Sequence, residues 1–241
     1  MNVNEIVRIV PTLKVNNRKL NERFYIETLG MKPLLEESAF LSLGDQTGTE
    51  RLILEEAPSM RTRRVEGLKK LARLLIKVED PSEIEGLLSQ MKSLPRLFKG
   101  SRGYAFEIVS PEEDVILVHA ENDIRDLVPL ETVPEFYSNT GIKYLSQFEV
   151  SMELRLPEGT ESLLDSEGVV PAITFTKGQG PDLAVENNVT WDLTMLKFLV
   201  RNFDLTSLRQ KFEKTGYFVP KSEKFFLGKD ANNIELWFEE A

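Results

Sequence analysis

Apolar and polar positions alternate along this chain in short runs, and the runs recur in a fixed order. Residues 9–15 form a strand-like run with Pro11 near its start. Residues 17–29 carry Leu20, Phe24 and Leu29 near helical spacing, and Gly30 supplies the stop. Strand-like runs follow at 32–37, 39–43 and 51–56, the last two separated by the turn sequence Gly44-Asp45-Gln46-Thr47-Gly48. The order then repeats. A strand is predicted at 71–78, and Asp80-Pro81 starts a helix with Ile84, Leu87, Leu88 and Met91 on its apolar face. Strands at 96–99, 104–109 and 115–120 complete the second copy.

The segment 126–143 holds Pro129, Pro134, Asn139 and Gly141 without a clear period, and reads as a linker. Beyond it, 148–156 alternates as a strand and 161–165 reads as a short helix. Strands are predicted at 172–176 and 183–186, around Lys177-Gly178-Gln179-Gly180-Pro181. The last copy is the clearest: a strand at 193–200, a helix capped by Asp204 and running to Lys214, Gly216 as its stop, and strands at 224–227 and 234–239. Four βαβββ-like units, taken two and two, predict domains at 1–125 and 144–241 joined by the linker 126–143.

Composition narrows the chemistry. The 241 residues include no cysteine and one histidine, His119. This excludes disulfides, thiolate ligands and any site that needs two imidazoles. Lys plus Arg number 30 and Asp plus Glu 39, a net charge of −9 that argues against nucleic acid as a partner. Residues 1–125 carry 19 basic and 20 acidic side chains, and residues 126–241 carry 11 and 19, so the acid excess falls in the second half. No apolar stretch approaches the roughly 18 residues of a membrane span. The N-terminus lacks the pattern of a secretory signal, which predicts a cytoplasmic location.

Three stretches carry a family resemblance. The first runs from Thr12-Leu13-Lys14-Val15 through Phe24-Tyr25-Ile26-Glu27-Thr28-Leu29-Gly30-Met31. The second is Ser110-Pro111-Glu112-Glu113-Asp114-Val115-Ile116-Leu117, and the third Asp230-Ala231-Asn232-Asn233-Ile234-Glu235-Leu236. With the repeat, they resemble the vicinal oxygen chelate superfamily, which contains glyoxalase I, extradiol dioxygenases and bleomycin-resistance proteins. The resemblance implies an α+β fold of two tandem glyoxalase/bleomycin-resistance-like domains built from paired βαβββ units. Each pair would curl into a cup with ligand-facing positions on four strands. Those positions align with Val10, Ile53, Arg73 and Leu117 in one cup, and with Ser151, Ala184, Met195 and Glu235 in the other. A slip of two residues would turn His119 inward instead of Leu117. Neither set offers the several oxygen or nitrogen donors a metal needs, so no metal and no cofactor are expected.

Over its whole length the chain also resembles the streptococcal CppA family, labelled as proteinases that degrade the third component of complement. The resemblance implies a complement protein as partner and a surface or extracellular role, which would need unconventional export or cell lysis. The residues supply no protease motif of their own. Neither a G-x-S-x-G elbow nor an aspartic pair is present. Ser89-Gln90-Met91-Lys92 and Lys214-Thr215-Gly216 match short β-lactamase patterns, but read equally as an exposed helix end and a helix stop. His119 is the one candidate base, set against its reading as a packed strand residue. Arg73 reads either as an anchor for a carboxylate or phosphate ligand, or as half of an ion pair with a neighbouring Glu. The basic run Arg61, Arg63, Arg64, Lys69, Lys70 and Arg73 reads either as a solvated loop and helix, or as a contact for an acidic partner such as the second domain of another copy. Trp191 and Trp237 read as core anchors or as a stack for a ligand. Three functions follow: a complement-degrading proteinase by resemblance, a metal-free small-molecule-binding protein, or an interaction protein, with a homo-oligomer as one form, whose cups are filled cores.

Overall fold

The computed structural model describes residues 5–57, 60, 62–132, 141–164 and 172–241. The first repeat holds β1 (Glu5–Val15), α1 (Arg18–Arg23) with a π-helical continuation Phe24–Thr28, β2 (Lys32–Glu37), β3 (Phe40–Gly44) and β4 (Glu50–Glu56). The second holds β5 (Leu71–Val78), α2 (Ser82–Gln90), β6 (Arg96–Gly100), β7 (Gly103–Val109) and β8 (Val115–His119). A 3-10 turn (Ile124–Asp126) and β9 (Val128–Pro129) follow. The third repeat is reduced, among the described residues, to β10 (Phe148–Pro157) and β11 (Ile173–Gly178). The fourth is complete: β12 (Leu193–Arg201), α3 (Leu205–Lys211), β13 (Tyr217–Phe218), β14 (Phe225–Lys229) and β15 (Glu235–Glu240).

These elements gather into two compact units that do not follow chain order. One joins residues 1–16, 57–72 and 153–241, and the other joins 17–56 and 73–152.

In the first unit, β1 runs antiparallel to β12, with Val10 opposite Lys197 and Thr12 opposite Met195. β12 runs parallel to β15, β15 antiparallel to β14, and β14 antiparallel to β13. The first strand of the chain therefore pairs with the last repeat. One face of this sheet is an aromatic core. Phe198 stacks on Phe238 at 4.7 Å, and Phe212, just past α3, packs on Phe226 at 5.2 Å. Asp204 caps α3 by accepting a hydrogen bond from the Thr206 amide, which satisfies one of the first-turn donors. Leu208 is the buried residue of the helix itself.

In the second unit, β2, β3 and β4 form an antiparallel meander. β5 runs parallel to β8, and β8, β7, β6 and β9 continue antiparallel. α2 buries Ile84, Leu87 and Leu88. α1 differs from the spacing read in the sequence. The helix widens to π geometry at Phe24, and its buried face is Asn21, Tyr25 and Leu29, while Leu20 is half exposed.

The resemblance motifs have a structural cause. At Ser110 and again at Asp230, a turn closes with the first residue's amide donating to the carbonyl of Asp114 or Ile234, at 2.9 Å in both. Glu113 and Asn233 take the left-handed conformation that each turn requires, φ 67° and 62°. Each turn is tied down by the side chain before it. Glu112 accepts from Asn21 Nδ2 at 3.0 Å, and Asn232 donates to the Arg155 carbonyl at 3.3 Å.

Three local expectations change. Residues 126–143 are not simply a linker, since β9 pairs with β6 and the Leu130 amide donates to the Leu97 carbonyl; residues 133–140 lie outside the described set. Residues 161–164 form no helix, because Ser162 and the Leu163 amide instead bind the Asp230 carboxylate; Asp165 lies outside the described residues. Residues 183–186 are turns rather than a strand, held by long-range hydrogen bonds described below. No helix among the described residues is long and apolar enough to cross a membrane.

Candidate functional site: an open aromatic face on the first unit

Strict alternation on β14 and β15 sends Phe226, Gly228, Leu236 and Phe238 into the aromatic core. The same alternation leaves Phe225, Leu227, Lys229, Glu235, Trp237 and Glu239 half exposed on the opposite face. Register completes the surface. Leu227 lies opposite Trp237 and Lys229 opposite Glu235, with Met195 and Lys197 of β12 beside Glu235 and Trp237. The Phe225 ring stacks on Trp237 at 3.8 Å and 14°. Trp237 Nε1 donates to Glu239 Oε2 at 2.8 Å, which fixes the indole plane. Phe218, 55% exposed on the edge strand, pairs with Leu227, its ring 6.1 Å from that of Phe225.

At the end of this face is a cleft of about 240 Å³, lined by Gly216, Phe218, Leu227, Gly228, Lys229 and Glu235 among others. Two glycines of its lining are required by the backbone and the core behind it. Gly216 adopts φ +82°, where a side chain would be strained, and a Cβ on Gly228 would meet the Phe212 ring at 2.5 Å. Charge in the cleft is uneven. Lys229 Nζ is paired with Glu186 Oε2 at 2.8 Å, and that ammonium holds the Glu186 carboxyl below its usual range. Glu235 has no ion pair or side-chain hydrogen bond among the described residues.

The corresponding face of the second unit is filled. Leu75, Phe98, Ala105 and Leu117 pack together, and Ile124 and Leu127 lie against them. At one end Glu107 accepts ion pairs from Arg73 at 3.8 Å and from Arg96 at 3.4 Å. At the other end His119 is 4% exposed with no partner at Nδ1. Burial and the neighbouring Lys77 ammonium push its pKa down to about 4. A second cleft of about 260 Å³ lies in this unit, lined by Lys77, Glu79, Arg102, Gln147, Phe148 and Glu149 among others. Its one aromatic, Phe148, is 1% exposed.

The sequence-derived positions scatter accordingly. Val10 lies in the first unit, fully buried beside Lys197. Ile53, Arg73 and Leu117 lie in the second unit, with Ile53 opposite Ser42 and half buried. Ser151 lies on β10 in the second unit. Ala184 is exposed in a turn, where its carbonyl accepts from Asn233 Nδ2. Met195 and Glu235 are adjacent on the open face. Ser89 donates to the Gly86 carbonyl within α2 and lies in a different unit from Thr215, whose amide donates to the Phe212 carbonyl.

Parts of the basic run are bound rather than solvated, and its described residues form no helix, although Arg64 is exposed. Arg63 makes a bidentate pair with Asp182 at 2.6 and 2.7 Å. Lys70 is buried, its ammonium donating to the Val185 carbonyl and to Asn187 Oδ1, and burial lowers its pKa to about 8. Asp192 accepts from the amides of Lys70, Leu71 and Leu193. Arg61 lies outside the described residues. Arg63 and Lys70 are thus bound by the 182–192 segment of the same chain, while Arg73 pairs with Glu107. Trp191 belongs to this region, its indole donating to the Ala57 carbonyl and Thr62 Oγ1. Sequence reasoning named Lys70 only as part of the basic run and missed Asp182 and Asp192. It singled out Trp237 but not its Phe225 partner, toward which the alternation on β14 and β15 pointed.

The donor chemistry does not fit the metal that glyoxalase-type cups imply. Among the eight aligned positions, Glu235 is the sole carboxylate, and no three His, Asp or Glu residues come together among the described residues.

Comparison with known proteins accords with this architecture. Residues 8–130 match the CppA N-terminal family model and residues 145–238 the CppA C-terminal one. A crystal structure of cppA protein from Streptococcus pneumoniae is 68% identical, with full coverage of both chains and a TM-score of 0.94. A candidate dioxygenase from Bacillus subtilis shares the fold at 12% identity and TM-score 0.59, covering 99% of this chain and 86% of its own. Glyoxalase I from Zea mays does so at 10% identity and TM-score 0.52, with 97% and 92% covered. A search of curated proteins finds no match. Two family models that together span most of the length, and a full-length structure at 68% identity, make the chain a member of the CppA family.

Proposed function

We propose that this protein binds a small organic molecule without a metal, on the open aromatic face of its first unit. The observation that carries the reading is the half-buried Phe225–Trp237 stack, whose neighbours Leu227 and Phe218 line the 240 Å³ cleft. An apolar, aromatic concavity with a few fixed polar groups is the usual form of a small-molecule site. A protein that needed only a filled sheet would place polar side chains here, because exposed aromatic surface is costly in water.

The complement-degrading reading attached to the family resemblance requires an activated nucleophile. Its one candidate base, His119, has an unpartnered Nδ1 and a pKa of about 4, and it abuts the filled core of the second unit. Ligand binding accounts for the half-buried aromatic stack and for the cleft beside it. Thermal unfolding of chelator-treated protein against a panel of planar aromatic compounds tests it. At least one compound should raise the melting temperature of the wild-type protein and leave Trp237→Ala unmoved. Stabilisation that is the same in Trp237→Ala, or the absence of stabilisation by every compound in the chelator-treated protein, would overturn the reading.

A further inference from the structure

The charge pattern of the cleft indicates which class of molecule it takes. Two charged side chains line it, Lys229 and Glu235. The lysine is paired with Glu186 at 2.8 Å. The indole N–H of Trp237 is likewise committed to Glu239. What remains available at the cleft is one carboxylate, Glu235. It stands one alternation step from Trp237 on the same face of β15 and opposite Lys229 in the register with β14. Around it are π-faces: the Phe225–Trp237 stack, and Phe218 at the rim with 55% of its surface exposed.

An aromatic face attracts a cation through its quadrupole, and a carboxylate at its edge adds a directed charge. Glu235, with no ion pair among the described residues, is the complement of a positive group, whereas an anionic ligand would meet Glu235 and find Lys229 already paired with Glu186. The net charge of −9 acts in the same sense at long range, drawing cations toward the molecule.

Building on the ligand-binding reading above, we propose that this site selects an organic cation, an aromatic or alkyl ammonium whose apolar body lies on Phe225, Trp237 and Phe218 and whose positive group sits at Glu235. The carboxylate sets the preference for charge, and the rings hold the body of the ligand.

Three probes of nearly one shape separate these roles: benzyltrimethylammonium, its neutral isostere neopentylbenzene, and benzenesulfonate. Binding is read from the indole N–H resonances of the folded protein, with Trp237→Phe used to assign the two signals. The ammonium should bind at least fivefold more tightly than the neutral isostere, with the Trp237 signal moving, and the sulfonate should bind worst. Glu235→Gln keeps the shape and should erase the preference while leaving the neutral compound's affinity unchanged. If the neutral probe binds as tightly as the ammonium, or Glu235→Gln keeps the preference, the cation assignment is overturned and the ligand-binding reading stands. If no probe moves the Trp237 signal of the folded protein, both are overturned.

Discussion

His119 is the chain's single histidine, so its ring protons can be followed through a titration without ambiguity. An exposed histidine titrates near 6.5. Here the ring is 4% exposed, Lys77 adds a second unfavourable charge, and the pKa falls to about 4. At about 1.4 kcal/mol per tenfold change in proton affinity, the native fold disfavours the imidazolium by about 3 kcal/mol. The sign of the pH dependence follows. Below pH 6.5 the unfolded chain takes up a proton that the folded chain refuses, so stability is lost as pH falls from 6.5 toward 4. Urea unfolding of wild type and His119→Gln at pH 7 and pH 4.5 isolates this contribution. The wild type should lose about 2–3 kcal/mol more than the variant between the two pH values. A folded-state midpoint between 6 and 7, or the same pH dependence in both proteins, would refute the argument. The result bears on function as well, because a base of pKa about 4 is too weak to take a hydroxyl proton efficiently at neutral pH.

Other outcomes follow from the packing and from the long-range pairs. Phe212→Ala removes the ring against Phe226 beneath the open face; urea unfolding should show a loss of about 3–5 kcal/mol, and a loss below about 1 kcal/mol would contradict the packing described. Asp182→Asn keeps the shape but removes the charge that Arg63 and the Glu66 amide bind; equilibrium unfolding should register a loss of about 1–3 kcal/mol at pH 7. The Arg63 guanidinium holds the Asp182 carboxyl below its usual range. Its contribution is therefore full above the unfolded carboxylate pKa of about 3.9 and fades as pH falls below that value, a dependence the asparagine variant should lack.

Much of the fold was legible because strand alternation survives in it. β10 buries Phe148, Val150, Met152, Leu154 and Leu156 in strict alternation, and β15 buries Leu236 and Phe238. The turns at Ser110 and Asp230 could be read as equivalents because each is closed by local hydrogen bonds. α1 was misaligned because its buried face carries the polar Asn21, held by the distant Glu112, in place of the apolar Leu20. Residues 183–186 look like a strand by composition. They are held instead by Lys70 and by the flanking Asp182 pair with Arg63, partners more than a hundred positions away. The site was less legible for the same reason. Glu235 and Met195 were identified from the repeat, but the pairing of β1 with β12 and the stack of Phe225 on Trp237 depend on register between distant strands. Leu117 occupied an aligned cup position, yet whether that cup is open or filled is decided by Ile124 and Leu127, from a segment read as mostly linker.

Under the ligand-binding proposal, the half-buried indole of Trp237 forms part of the floor on which the ligand lies. This claim is tested most directly by isothermal titration of the most stabilising compound into wild type and Trp237→Ala. Removing one of the two stacked rings that form the floor should raise the dissociation constant at least tenfold, about 1.4 kcal/mol, while far-UV circular dichroism stays unchanged. Equal dissociation constants in two equally folded proteins would contradict the account.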